Sequence, residues 1–109
     1  MTDQINVLVL KGFRRAVKKL FSEEDIETLV AFLQSRPDAG DVIPGTGGLR
    51  KLRWALEGRG KRGGSRVIYY YHRPELEVLL LTAYAKNEQE DLSASDKKLL
   101  AALVKDIIG

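Results

Sequence analysis

Apolar positions recur along this chain with two different periods, and the switches between them mark out its elements. Residues 5–10 (INVLVL) form a short β-branched run that predicts a strand. From residue 13 to 20 the spacing becomes helical: Phe13, Ala16, Val17 and Leu20 share one side, and Arg14, Arg15, Lys18 and Lys19 the other. Ser22 is placed to cap a second helix whose first turn holds Glu23, Glu24 and Asp25, where negative charge favours the helix dipole. Ile26, Leu29, Val30 and Leu33 form its apolar stripe, and Pro37 marks its end. A link of about two residues predicts a helical hairpin.

Residues 37–48 (PDAGDVIPGTGG) read as a loop. Three strand-like runs follow, at 49–56, 66–72 and 78–85, separated by the glycine-rich EGRGKRGG and by Arg73-Pro74-Glu75. Such short links imply an antiparallel meander. The last of these runs, VLLLTAYA, is apolar on both faces and predicts the central strand. Residues 95–108 close the chain as a helix with Leu99, Leu100, Leu103, Val104 and Ile107 on one side, capped by Ser93 or Ser95. The expected class is α+β in the order β-α-α-β-β-β-α: a small, mostly antiparallel sheet with an N-terminal helical hairpin and a C-terminal helix.

Composition narrows the class of partner. A length of 109 residues suits a single domain spanning 1–109, and 30% charged residues is ordinary for a globular protein. With no cysteine, disulfides and thiolate chemistry are excluded, which suits a reducing cytoplasm. No apolar run reaches the roughly 18–20 residues a membrane span needs, so no membrane association is expected. The net charge of +3 is unevenly placed. Residues 50–66 hold seven Arg or Lys, one Glu and four Gly, a local +6, so the other 92 residues sum to −3. Concentrated positive charge costs stability through self-repulsion and points to an anionic partner, a nucleic-acid backbone first.

Alternation along the strands places these charges. Leu49, Lys51, Arg53 and Ala55 face one way, and Arg50, Leu52, Trp54 and Leu56 the other, so the set with Trp54 is expected in the core and Lys51 and Arg53 on an open face. In the next strand Arg66, Ile68, Tyr70 and His72 share a face, which antiparallel pairing can bring beside the cationic pair. Such a basic surface with rings nearby suits single-stranded RNA. Arg50, Arg59, Lys61 and Arg62 are further RNA-binding candidates, whereas Arg14, Arg15, Lys18 and Lys19 read as the solvated face of an amphipathic helix. With His72 the only histidine, a two-histidine ribonuclease is excluded, and Glu57, Glu88, Glu90 and Asp91 lack the spacing of a metal cage. RNA cleavage by this chain would rest on electrostatics. The 2′-hydroxyl attacks the adjacent phosphorus, Arg and Lys stabilise the phosphorane, and a Lys or Tyr takes the proton. No cofactor is expected.

The runs IPGTGGLRKLRW, GRGKRGGSRVIYYY and LLLTAYAKNEQEDLS resemble the RelE/ParE superfamily of bacterial toxins, its HigB-like branch in particular. The resemblance implies a RelE-like fold and a type II toxin restrained by a cognate antitoxin, here HigA-like with a DNA-binding domain. It also implies a cytoplasmic, ribosome-dependent mRNA endoribonuclease (an mRNA interferase) that inhibits translation by cutting in the A site without metal. On that pattern Lys51 and Arg53 contact RNA and Arg66 is the catalytic arginine, with Lys86 and Glu88 in the segment after the last strand. The chain departs from the pattern in having Asn87 beside Lys86 and no tyrosine around Ser93, so Tyr70, His72, Lys86 and Glu88 all stand as general-base candidates. Two other functions fit the same elements: a ParE-like inhibitor of DNA gyrase, and a non-catalytic ribosome- or RNA-binding module.

Overall fold

The computed structural model describes residues 4–55 and 64–109. These form strand β1 (Asn6–Val9), helices α1 (Lys11–Ala16) and α2 (Glu23–Ser35), strands β2 (Asp41–Val42), β3 (Leu49–Trp54), β4 (Ser65–His72) and β5 (Glu77–Ala85), and helix α3 (Ala94–Ile108). The strands make one sheet in the order β1-β5-β4-β3-β2. β5, β4, β3 and β2 pair antiparallel in turn, and β1 joins the outer edge of β5 in parallel. The sheet is thus mostly antiparallel, as its short connections require. β5 is interior as its two-faced apolar run demands, but β4 occupies the middle position.

Each face of the sheet carries a core. On one side Phe13, Val17 and Phe21 join Ile26, Leu29 and Leu33 of α2 over Leu52, Val67, Tyr69, Val78 and Leu80. On the other, Leu92 and Val104 cover Leu49, Ile68, Leu79 and Leu81. The Trp54 side of β3 therefore does face the helical hairpin. The opposite side is not open along its whole length, because Leu49 is completely buried in the second core.

α1 stops at Ala16, earlier than its apolar spacing suggests. The amides of Leu20 and Phe21 both donate to the Val17 carbonyl at 2.8 Å, and this turn swings Phe21 back to meet Phe13 edge-on at 5.9 Å. α2 opens with a reciprocal cap: the Asp25 amide donates to Ser22 Oγ, and the Ser22 amide to the Asp25 carboxylate. Ser93 caps α3 by accepting from the Asp96 amide at 3.0 Å.

The stretch from Pro37 to Gly48, read as loop, contains the short strand β2. Tyr69 anchors it from below. Its hydroxyl accepts from the Gly40 amide and donates to the Pro37 carbonyl, both at 2.8 Å. A Cβ at Gly40 would lie 2.9 Å from the Tyr69 ring, so only glycine lets the chain pass this close.

Candidate nucleic-acid interface

The site is assembled by strand register. Arg53 on β3 pairs with Arg66 on β4, and Arg66 pairs with Tyr84 on β5, so three side chains form one row across three strands. Lys51 lies two residues along β3 on the same face.

Tyr84 reaches this face because of a β-bulge. Pairing runs Ile68 to Thr82 but Tyr69 to Leu80, which leaves Leu81 as an extra residue in β5. Leu80 packs in the hairpin-side core, and uninterrupted alternation would send Tyr84 there too. The inserted residue reverses the phase and delivers Tyr84 to the α3 side.

Asp91, just ahead of α3, ties this end of the sheet together. Its Oδ1 accepts from Lys51 Nζ at 3.1 Å and from the Leu92 amide at 2.7 Å, and lies 3.5 Å from the Tyr84 hydroxyl. Its Oδ2 is 3.8 Å from Lys97 Nζ. The Leu92 N–H is the main cause that holds the Asp91 carboxyl below the usual carboxylate range; Lys51 and Lys97 add to it, and slight burial opposes. Tyr84 moves the other way. Burial raises its phenol first, the Asp91 charge raises it further, and Arg66 partly opposes both. At neutral pH Tyr84 is therefore a hydrogen-bond donor, not a base.

The remaining candidates fall in different places. Arg50 points to the opposite face, where its guanidinium donates to the carbonyls of Gly40 at 2.7 Å and Asp38 at 3.2 Å. The structure thus assigns Arg50 to holding the chain before β2, away from the Lys51/Arg53 face. Tyr70 shares the Arg66 face but sits four residues along β4, about 13 Å away at the usual rise per residue, between Gly48 and His72. His72 is two residues further still. Lys86 is beside the Arg66 end: its amide donates to the Gly64 carbonyl, while its ammonium donates to the Glu90 carbonyl, both at 3.1 Å. Glu88 is exposed in the turn after β5. Arg59, Lys61 and Arg62, with Leu56 and Glu57, lie outside the described residues.

Tyr84, Asp91 and Lys97 were not among the candidates drawn from the sequence. Tyr84 was hidden because the bulge leaves no mark in the consecutive leucines Leu79, Leu80 and Leu81. Asp91 did carry a signal, an acid two residues before a helix cap, where backbone N–H groups favour negative charge. Among the described residues no group of three or more His, Cys, Asp or Glu is placed to hold a metal ion.

A family model described as the RelE toxin of the RelE/RelB toxin–antitoxin system matches residues 6–109. The chain belongs to the RelE toxin family. Its fold is similar to a solved structure of the Escherichia coli toxin RelE, an arginine-to-alanine double mutant in the free state. The TM-score is 0.57 and the identity 15%, over 81% of this chain and 90% of that one. At that identity the likeness speaks to fold alone. The chain is thus a RelE/ParE-superfamily toxin, the toxin half of a toxin–antitoxin pair. The match is to the RelE family as a whole and selects no narrower branch, HigB-like or other. No helix among the described residues is long and apolar enough to cross a membrane.

Proposed function

We propose that this toxin cleaves messenger RNA in the ribosomal A site, by attack of a 2′-hydroxyl on the neighbouring phosphorus. The observation that carries the reading is the direct opposition of Arg53 and Arg66 with Lys51 alongside. Like charges opposite one another on a sheet are destabilising, and a phosphate between them turns that cost into binding.

In this mechanism the 2′-oxygen forms its bond to phosphorus as the bond to the 5′-oxygen breaks, leaving a cyclic phosphate and a 5′-hydroxyl. Arg66 stabilises charge on the phosphorane, Lys51 and Arg53 hold phosphate oxygens, and the neutral Tyr84 donates a hydrogen bond beside them. A base takes the 2′-hydroxyl proton, and the 5′-oxygen gains one as it leaves. Tyr70 and His72 lie toward the far end of β4, which leaves Lys86 and Glu88 as base candidates at the Arg66 end. The cognate antitoxin, which we read as HigA-like with its own DNA-binding domain, silences the toxin by covering or distorting the Lys51/Arg53/Arg66 face.

Primer extension on a reporter mRNA in a purified translation system tests this, with wild type and Arg66→Ala compared in the presence and absence of ribosomes. Codon-phased cuts that need both ribosomes and Arg66 support the proposal. Cuts without ribosomes indicate a free ribonuclease. Intact mRNA in every lane removes the catalytic reading and directs attention to DNA gyrase.

A further inference from the structure

Four basic residues of the α1 segment look in the sequence like a solvated helix face, yet the fold treats them unequally. Arg14 is occupied, its Nη1 lying 2.9 and 3.1 Å from the two Glu23 carboxylate oxygens. Arg15, Lys18 and Lys19 have no ion pair among the described residues, and all three are exposed. They line a groove of about 500 Å³ with the C-terminal part of β5. The groove has two structural causes. β1 pairs with β5 only as far as Leu80, so the outer edge beyond is flanked by α1 and not by a strand. Small Ala83 also leaves space beneath the cations. Glu88 is the one acid in the lining, so the wall carries a net +2.

Tyr84 joins this groove to the candidate site, since it lines the groove and also stands in register with Arg66. We infer that Arg15, Lys18 and Lys19 form a second RNA-phosphate subsite, which holds the backbone of RNA beyond the segment on the Arg53–Arg66 row. The inference rests on the proposed action on RNA and extends it around the edge of β5. Three cations with no ion pair among the described residues, set against the single acid Glu88, suit a flexible polyanion: each phosphate they neutralise releases counterions, with no demand for a shaped apolar pocket.

The test is the triple variant Arg15→Gln/Lys18→Gln/Lys19→Gln, with Arg14→Gln as a control outside the groove. Binding to mRNA-programmed ribosomes and to a free single-stranded RNA is measured across a salt series, alongside single-turnover cleavage at saturation. These side chains are exposed, so the variant should melt as wild type does. The expected result is half-saturation raised at least about tenfold at physiological salt and a log–log salt slope shallower by about 2. The saturated cleavage rate and the Arg14→Gln variant stay close to wild type. A matching shift on free RNA identifies the bound strand as single-stranded; a shift on ribosomes alone identifies structured ribosomal RNA. Unchanged half-saturation and slope in a triple variant whose parent binds and cuts overturns the subsite alone. So does loss of antitoxin binding with ribosome binding intact, which makes the groove a protein contact. A wild-type toxin that neither binds nor cuts overturns the RNA reading and the subsite together.

Discussion

Arg53 and Arg66 are direct cross-strand partners on β3 and β4. Like charges directly opposite one another on a sheet are destabilising, a cost that an anionic ligand offsets. Replacing Arg53 with Ala should leave the fold no less stable than wild type, and more stable at low salt. The same variant should weaken binding to programmed ribosomes. Paired melting and binding curves check both.

Arg66→Ala should behave differently from Arg53→Ala in kinetics. Loss of one preorganised donor to a developing charge typically lowers the chemical rate by about 10²–10³. Single-turnover cleavage should fall by that factor while circular dichroism stays unchanged. A drop confined to half-saturation, with the rate at saturation preserved, would move Arg66 from catalysis to binding.

Arg50→Ala should give the opposite pattern. Its two bonds to the Gly40 and Asp38 carbonyls steady the chain before β2, and hydrogen bonds involving a charged group contribute about 1.5–3 kcal/mol. Denaturant unfolding should show a loss of that size, while cleavage per folded molecule remains at the wild-type level. Tyr69→Phe should cost about 1–3 kcal/mol, because it strips partners from the Gly40 amide and the Pro37 carbonyl.

Tyr84 supplies a pH test. Its phenol is raised by burial and by Asp91, so the native state binds this proton more tightly than the unfolded chain. The resulting stability is fully present below the ordinary tyrosine value of about 10 and is lost as pH rises through the folded value. Tyr84→Phe should lessen the alkaline fall in melting temperature; Tyr69, raised by burial as well, contributes to the part that remains.

Asp91→Asn keeps an oxygen for the Leu92 amide and gives up the charge beside Lys51 and Lys97. Exposed ion pairs contribute only about 0–1 kcal/mol, so the stability change should be small. Ribosome binding should tighten several-fold at low salt, because one negative charge has left a cationic face. In the wild type the Asp91 carboxyl should titrate below an ordinary aspartate when followed by carbonyl NMR. The stability it contributes is present above the ordinary value and is lost as pH falls through the folded one.

What this chain writes locally could be read locally. Helical spacing marked α2 and α3, Ser22 marked the start of one and the pair Ser93 and Ser95 that of the other, and two-residue alternation put Lys51 and Arg53 on one face. Each depends on residues a few positions apart, where backbone geometry leaves few options. The tertiary structure decided everything that required distant segments to meet: the parallel addition of β1 to β5, the opposition of Arg53 and Arg66, and the 40-residue reach from Lys51 to Asp91. It also decided the bulge at Leu81. Leu79, Leu80 and Leu81 follow one another, so the pattern around the bulge holds no record of phase. Only packing against β4 and α3 determines that Tyr84 turns toward Arg66.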